Sequence, residues 1–364
     1  MKITKQQSSK LKWDGRAKWW PAPYKAGSPG GDSNLWMCAQ DAALNVRSII
    51  ERDCDSNNDE HGSIWLENCS LELSGLLVDS IPFNHHHSQY KRSISETVVD
   101  FVQMVAQELV LVGSMTFEIS AGWDLVDGSK LLRGARLTHI HRRSLMRMQG
   151  IAIQFIPLTE STRFRSHQIV KIDNARLVRF LPPNPWRRSL KLMRSSMPLI
   201  GQSENSWMMN VRKQIVHEDF AMVARSYSVQ RAKMTSPIGW DARGMFREHI
   251  SDYHLVSREL YWNKFCIALR DEILSTLSQA FSVIGSFVNE QPTLKWNTMP
   301  DLSDIKQAED QLAAGEIDFD ESPGLRYALG SPTPEDIPPR THLDSGAKPA
   351  GRSGIAHHPK NYLR

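Results

Sequence analysis

Apolar side chains along this chain recur with two different periods, and the switches between them mark out its elements. In "WMCAQDAALNVRSIIERD", residues 36–53, Trp36, Ala43, Val46, Ile49 and Ile50 fall at helical spacing and predict a helix. Residues 54–92 are polar and broken, with "SLELSGLLV" as their one short apolar segment. Ser93 and Glu96 then stand at capping-box spacing, and Val98, Phe101, Val102, Val105 and Leu109 form one stripe, so a buried-face helix is expected over 95–111, ended by Gly113. The period next falls to two, with Met115, Phe117 and Ile119 alternating against Thr116 and Glu118, which is the pattern of a half-buried strand. A turn at Asp127 and Gly128, a return strand in "GARLTHIH" and further strands in "IAIQFIPL" and "ARLVRFLPP" make 95–183 an α+β unit, one helix feeding a small, mostly antiparallel sheet.

Beyond the prolines of "PPNPW" the pattern turns helical again. Arg187, Arg188, Lys191 and Arg194 recur at three- and four-residue intervals and predict a basic ridge on one helix face. Arg212, Lys213, Arg225, Arg231 and Lys233 extend it, and together these nine are the candidates for tracking phosphates. Pro237 and Gly239 force a loop. A rod over 245–287 follows, about 60 Å long, with Val256, Leu260, Ile267, Leu274, Leu277, Phe281 and Ile284 on one apolar seam. A helix of that length crosses a whole subunit or packs beside copies of itself, and the seam is expected to be where subunits pack. Residues 301–321 then hold eight acids and one lysine, yet keep a short helical pattern at Ile305, Ala308, Leu312 and Ala313. From 331 onward, prolines among weakly apolar residues predict a disordered tail.

Charge narrows the partners only slightly, since 44 basic side chains against 40 acidic ones leave a net +4 across 364 residues. It is unevenly spread. Residues 1–34 interleave Lys2, Lys5, Lys10, Lys12, Arg16, Lys18 and Lys25 with Trp13, Trp19, Trp20 and Tyr24. This arm lies outside the core, either ordering on a neighbouring subunit or binding nucleic acid through lysines and stacked indoles. Cys38, Cys54, Cys69 and Cys266 have neither paired-motif nor secreted-scaffold spacing, which argues against disulfides and structural zinc. The start lacks a signal-peptide core and no stretch is apolar enough to cross a membrane, so a soluble intracellular protein with no membrane partner is expected. No phosphate-binding loop, nucleophile elbow or zinc-protease helix is present, so the chain is expected not to be an enzyme and to need no cofactor. His85, His86 and His87, with His139 and His141 on a strand, are histidine groupings that could begin a metal site. Contiguous or alternate residues in extended chain do not close one alone, and the expected reading is no metal, with His139 and His141 on the solvent side of the sheet.

The order of parts resembles the portal, or head–tail connector, proteins of tailed bacteriophages. A helix running into "LVGSMTFEISAGWD" is similar to the portal pattern at Gly113, Ser114, Phe117, Glu118, Ile119 and Asp124. "LKWNTMPDLSDIKQAEDQLAAGEID" resembles the portal segment in which a tryptophan strand, an aspartate-rich turn and a helix precede a glycine stop, at Trp296, Asp301, Asp304, Leu312, Gly315 and Ile317. The resemblance spans about 95–320. It implies a portal-like subunit: a basic aromatic arm over 1–35, an α/β wing over 36–185, a helical stem and channel region over 186–290, an acidic helical crown over 291–330 and the tail over 331–364. It further implies a dodecameric ring at one capsid vertex of the virion, assembled in the host cytoplasm, a conduit for DNA packaging and ejection. Double-stranded DNA would pass through the channel, and the large terminase, a head–tail adaptor protein and the major capsid protein would be partners. The alternative is a monomeric or dimeric nucleic-acid-binding protein of replication or recombination, using the basic arm and the 187–233 ridge.

Overall fold

The structure is a computed structural model that describes residues 11–18, 33–51, 64–82, 93–126, 129–148, 150–156, 167–211, 217–240, 252–296 and 301–316. Its elements in chain order are β1 (Lys12–Trp13), α1 (Ser33–Glu51), β2 (Ile64–Glu67), α2 (Leu71–Ser80), α3 (Ile94–Leu111), β3 (Met115–Val126), β4 (Ser129–Ile140), β5 (Leu145–Met148), β6 (Ile151–Ile156), β7 (Gln168–Ile172), β8 (Leu177–Phe180), α4 (Arg187–Val211), α5 (His217–Thr235), α6 (Asp252–Ser286), β9 (Thr293–Trp296) and α7 (Leu302–Ala314). The class is α+β. Residues 1–10 and 19–32 of the arm, His85–His87, Arg212, Lys213, residues 245–251 of the expected rod and the tail from 331 lie outside the described residues.

The helix expected over 95–111 begins where its chemistry dictates. Ser93 accepts the Glu96 N–H at 3.2 Å and Glu96 accepts the Ser93 N–H at 3.2 Å, closing the capping box. Its stripe packs on β3, where Phe101 meets Phe117 and Phe180 at ring separations of 5.7 and 5.5 Å. β3 is the centre of the main sheet. β4 runs along one side of it, and β8 and β1 share the other, β8 pairing Met115–Glu118 and β1 pairing Gly122–Trp123, all antiparallel. The side of β3 turned away from α3 carries Thr116, Glu118 and Ser120, all buried, and a second small cluster of Ile140, Ala152 and Ile172 joins it to the three-stranded sheet β5–β6–β7. The single sheet expected over 95–183 is therefore two sheets, because β6 pairs with β5 and β7 instead of extending the sheet built on β3.

The segment between 54 and 92 also carries more order than its composition predicts. α2 has Ser70 as N-cap, accepting the Leu73 N–H. β2 pairs with β9 from 226 residues or more further along the chain, Ile64 opposite Trp296 through Glu67 opposite Thr293. That long-range pair ties the expected crown to the expected wing. One hydrophobic cluster runs from Cys38 through Ala308 without a break at 185 or 290, so the described parts of the three expected regions share a core.

α6 stands at the centre of that core. It spans Asp252–Ser286, about 52 Å at 1.5 Å per residue, and packs against α1, α2, α3, β8, β9 and α7. The sequence shows one seam; the structure buries Phe265, Cys266, Ile267, Ala268, Leu269 and Arg270 in succession, so mid-length the helix is enclosed on all sides. Arg270, buried among them, donates from Nε to Asp271 at 2.9 Å.

Candidate functional site

The seven seam residues come first because the expected assembly depended on them. Val256, Leu260, Ile267, Leu274, Leu277, Phe281 and Ile284 are all buried inside their own chain, none more than 6% exposed. This corrects the expectation of a subunit-packing seam: the apolar stripe is satisfied by α1, α3 and α7 of the same molecule, leaving none of these side chains free to meet another copy.

The expected basic ridge divides in the same way. On α4, Leu190, Met193 and Met197 point into the core, which turns Arg194 toward the end of α3 instead of solvent. There Arg194 Nη1 donates to the carbonyls of Leu109 and Val110 at 3.2 and 3.3 Å, supplying donors that the last turn of a helix lacks. Its guanidinium lies over Gly113, whose φ of +91° ends α3 and whose missing Cβ makes the seat: a Cβ would come within 2.5 Å of Arg194 Nη2. Arg187 donates to the Pro182 carbonyl at 2.7 Å and lies 3.7 Å from Glu272. Arg231 is buried and ion-paired with Glu204. Arg188, Lys191, Arg225 and Lys233 are exposed. The seven described candidates do not form one face.

What sequence spacing missed is where other arginines meet these two. Arg142, just past the end of β4, donates to the Val112 carbonyl at 3.0 Å and so sits beside Arg194 at the same helix end. Arg179 projects from β8 between the buried Val178 and Phe180, onto the far face of the sheet, level with Ile140 across Thr116. Arg147 lies cross-strand from Ala152, on the face of its sheet that packs toward Ile140. Partial burial and the neighbouring Arg147, Arg142 and Arg187 hold Arg179 below the usual arginine range, and burial and Arg142 do the same to Arg194. Only the register of two sheets and a helix end could reveal this group.

α4 and α5 form a hairpin. α4 meets α1 and α3 near its start and α5 meets the 3-10 turn Ser236–Ile238 at its end; elsewhere their substantial contacts are with each other. Leu199 and Met222 stand 62% and 66% exposed on it, with Val229 exposed as well.

The described part of the arm docks on its own chain, pairing with β3 without any residue becoming fully buried, where the expectation was an arm that orders on a neighbouring subunit or on nucleic acid. Trp13 lies over Gly122 and Gly134 with the Arg136 guanidinium 4.3 Å from its ring centre, so this indole is already stacked. Glu118 accepts the N–H groups of Arg16 and Ala17 at 2.8 and 2.5 Å, and Gln154 exchanges hydrogen bonds with the Lys18 backbone. Burial raises Asp14, but the Arg176 guanidinium at 2.6 Å and the N–H groups of Ala121 and Trp123 more than offset it, leaving that carboxyl below its usual value. A cleft of 460 Å³ beside this arm is lined by Asp14, Arg16, Glu118, Lys171, Asp173 and Arg176 among others. Within it Arg176 pairs with Asp14, and Glu118 is taken up by the backbone N–H groups of the arm.

The histidines are placed differently from the expectation of a solvent face. His139 lies on the α3 side of the sheet, its ring 5.4 Å from Phe117, and burial followed by His141 lowers its pKa to about 4. His141 Nδ1 accepts the Arg143 N–H. Among the described residues no group of three histidine, cysteine or acidic side chains could hold a metal ion, and no helix is long and apolar enough to cross a membrane. Cys38 and Cys266 are buried free thiols, each pushed well up by burial.

No known family model matches the chain, and no curated protein matches it. Among solved structures, it is similar to the crystal structure of an HK97 family phage portal protein from Corynebacterium diphtheriae, at 10% identity and a TM-score of 0.24, over 72% of this chain and 95% of that one. A score that low does not establish a shared fold.

Proposed function

We propose that the protein is a phage portal subunit: copies close into a ring whose channel passes double-stranded DNA, and the ring serves as the docking site for the packaging terminase and head–tail adaptor. The observation that carries this reading is the α4–α5 hairpin. A hairpin that leaves its body and keeps Leu199, Met222 and Val229 in the open is costly in a solitary chain and reasonable in a subunit flanked by copies of itself. Support also comes from the two stretches that resemble portal proteins, because each falls on a defined element. Gly113 to Asp124 is a helix stop leading into the central strand. Trp296 to Gly315 is a strand, then Asp301 capping α7 by accepting the Ser303 and Asp304 N–H groups, then a left-handed stop at Gly315.

The ring no longer rests on the α6 seam, which its own chain consumes. Subunit contacts belong to the exposed hairpin and to surfaces around it. Mass photometry and negative-stain microscopy of the full chain test the reading: a closed ring near half a megadalton is expected for about twelve copies of a 41.4 kDa chain. A single species at the monomer mass over the micromolar range would refute it.

A further inference from the structure

Arg142 and Arg194 share the end of α3, Arg147 and Arg179 stand on the two sheet faces that meet at the Ile140 cluster, and Arg179 feels the charges of Arg142, Arg147 and Arg187; like charges do not gather from four separate elements or their ends without a reason. The two anchored on α3, Arg142 and Arg194, offset only the partial negative charge of a helix end, roughly half a unit. Arg187 has one carboxylate nearby, Glu272 at 3.7 Å. Arg147 and Arg179 have no hydrogen-bond or ion-pair partner among the described residues, and both are exposed. Among the described residues the group therefore holds a clear positive excess, with its outermost members unpaired.

The side chains are all arginines. Three are held from below by main-chain carbonyls, at Val112, Pro182 and Leu109/Val110, so their planar forks are fixed before any ligand arrives. A fixed guanidinium fork matches two oxygens of one phosphate, and guanidiniums presented from separate strands and a helix end can serve more than one phosphate at a time. An acidic protein segment would find few apolar anchors among these five.

From this placement we infer that the five arginines form a seat for consecutive phosphates of a nucleic-acid backbone, positioning the strand without reading its bases. The seat stands on its own geometry and takes from the proposed function only the choice of nucleic acid as the source of phosphate.

The test uses the full chain and a fluorescein-labelled duplex of arbitrary sequence, followed by anisotropy across a salt series. Arg147→Ala/Arg179→Ala removes the two free, exposed members and leaves the three that brace α3 and α4. At about 0.1 M salt the double variant is expected to bind at least tenfold more weakly, with a log–log salt slope smaller by about 2. The control Lys295→Ala/Lys306→Ala, also exposed, is expected to change affinity less than threefold. Equal losses in the two variants, or no loss in the first, would overturn the seat. Displacement of the duplex by inorganic phosphate at constant ionic strength would assign the seat to a free phosphate and overturn the backbone reading. Unchanged DNA binding with a smaller assembly mass would hand the arginines to an acidic segment of another copy, again overturning it. A chain that stays single yet loses duplex binding in the arginine variant would refute the ring and uphold the seat.

Discussion

His139 is held in a place that suits only its neutral form. Its ring packs against Phe117 on the α3 side of the sheet, and removing it from water lowers its pKa to about 4 from an ordinary 6.5. Between those two values the unfolded chain binds a proton that the folded chain does not, so stability falls as pH drops from about 6.5 to 4, by at most about 3 kcal/mol from this residue. His141, also lowered by burial and Arg143, acts in the same direction. Melting temperatures measured from pH 7 to pH 4 are expected to fall less steeply for His139→Leu than for the unsubstituted chain. Identical slopes would mean that this ring is in water. Asp14, held below its usual value, adds a loss at still lower pH, as its carboxyl takes a proton and releases Arg176.

At the scale of elements, the end of α3 shows how one residue type can serve two purposes. Gly113 is needed for its positive φ and for the space that Arg194 fills. Gly113→Ala is expected to cost about 1–3 kcal/mol, from strained backbone together with displacement of the guanidinium, and calorimetry of the variant measures it. Loss of the Ser93 box, by contrast, is expected to cost about 1 kcal/mol, the usual effect of removing one N-cap. α6 responds differently. Leu274 is fully buried in the core of its own chain, so Leu274→Asp places a charge where no partner exists and is expected to cost several kcal/mol. The readout is the chain itself: the variant should be unfolded or insoluble as a monomer, whatever the assembly. A soluble, cooperatively melting variant would place Leu274 at a surface.

For the whole molecule, the division of labour lies between a body that closes around α6 and a hairpin that leaves it. Leu199→Lys/Met222→Lys alters only exposed side chains on that hairpin. Its far-UV spectrum and melting temperature are expected to stay within about 0.5 kcal/mol of the parent while the assembly mass falls. A full-size ring from this variant would remove the hairpin from the subunit contact. The described part of the arm, residues 11–18, belongs to the body as well. β8 covers Met115–Glu118 of β3, and β1 pairs with Gly122 and Trp123 further along the same edge, so part of an otherwise open strand edge is closed from within the chain.

Local patterns were enough to place α1, α3, β3, β4, α6 and α7, with the cap at Ser93 and the stop at Gly113, because each of these is decided by neighbours within a turn or two. Only the folded chain decided which surfaces remain for partners. Periodicity reports that a face is apolar, not what covers it, and so the α6 stripe read as an interface although its own chain buries it. Charge spacing likewise places arginines on a helix without showing that one turns inward to a helix end. The meeting of Arg147 and Arg179 with Arg142, and the pairing of β2 with β9, depend on contacts between segments far apart in sequence. No local pattern encodes such contacts, because the energy that selects them is gained only once the whole core closes.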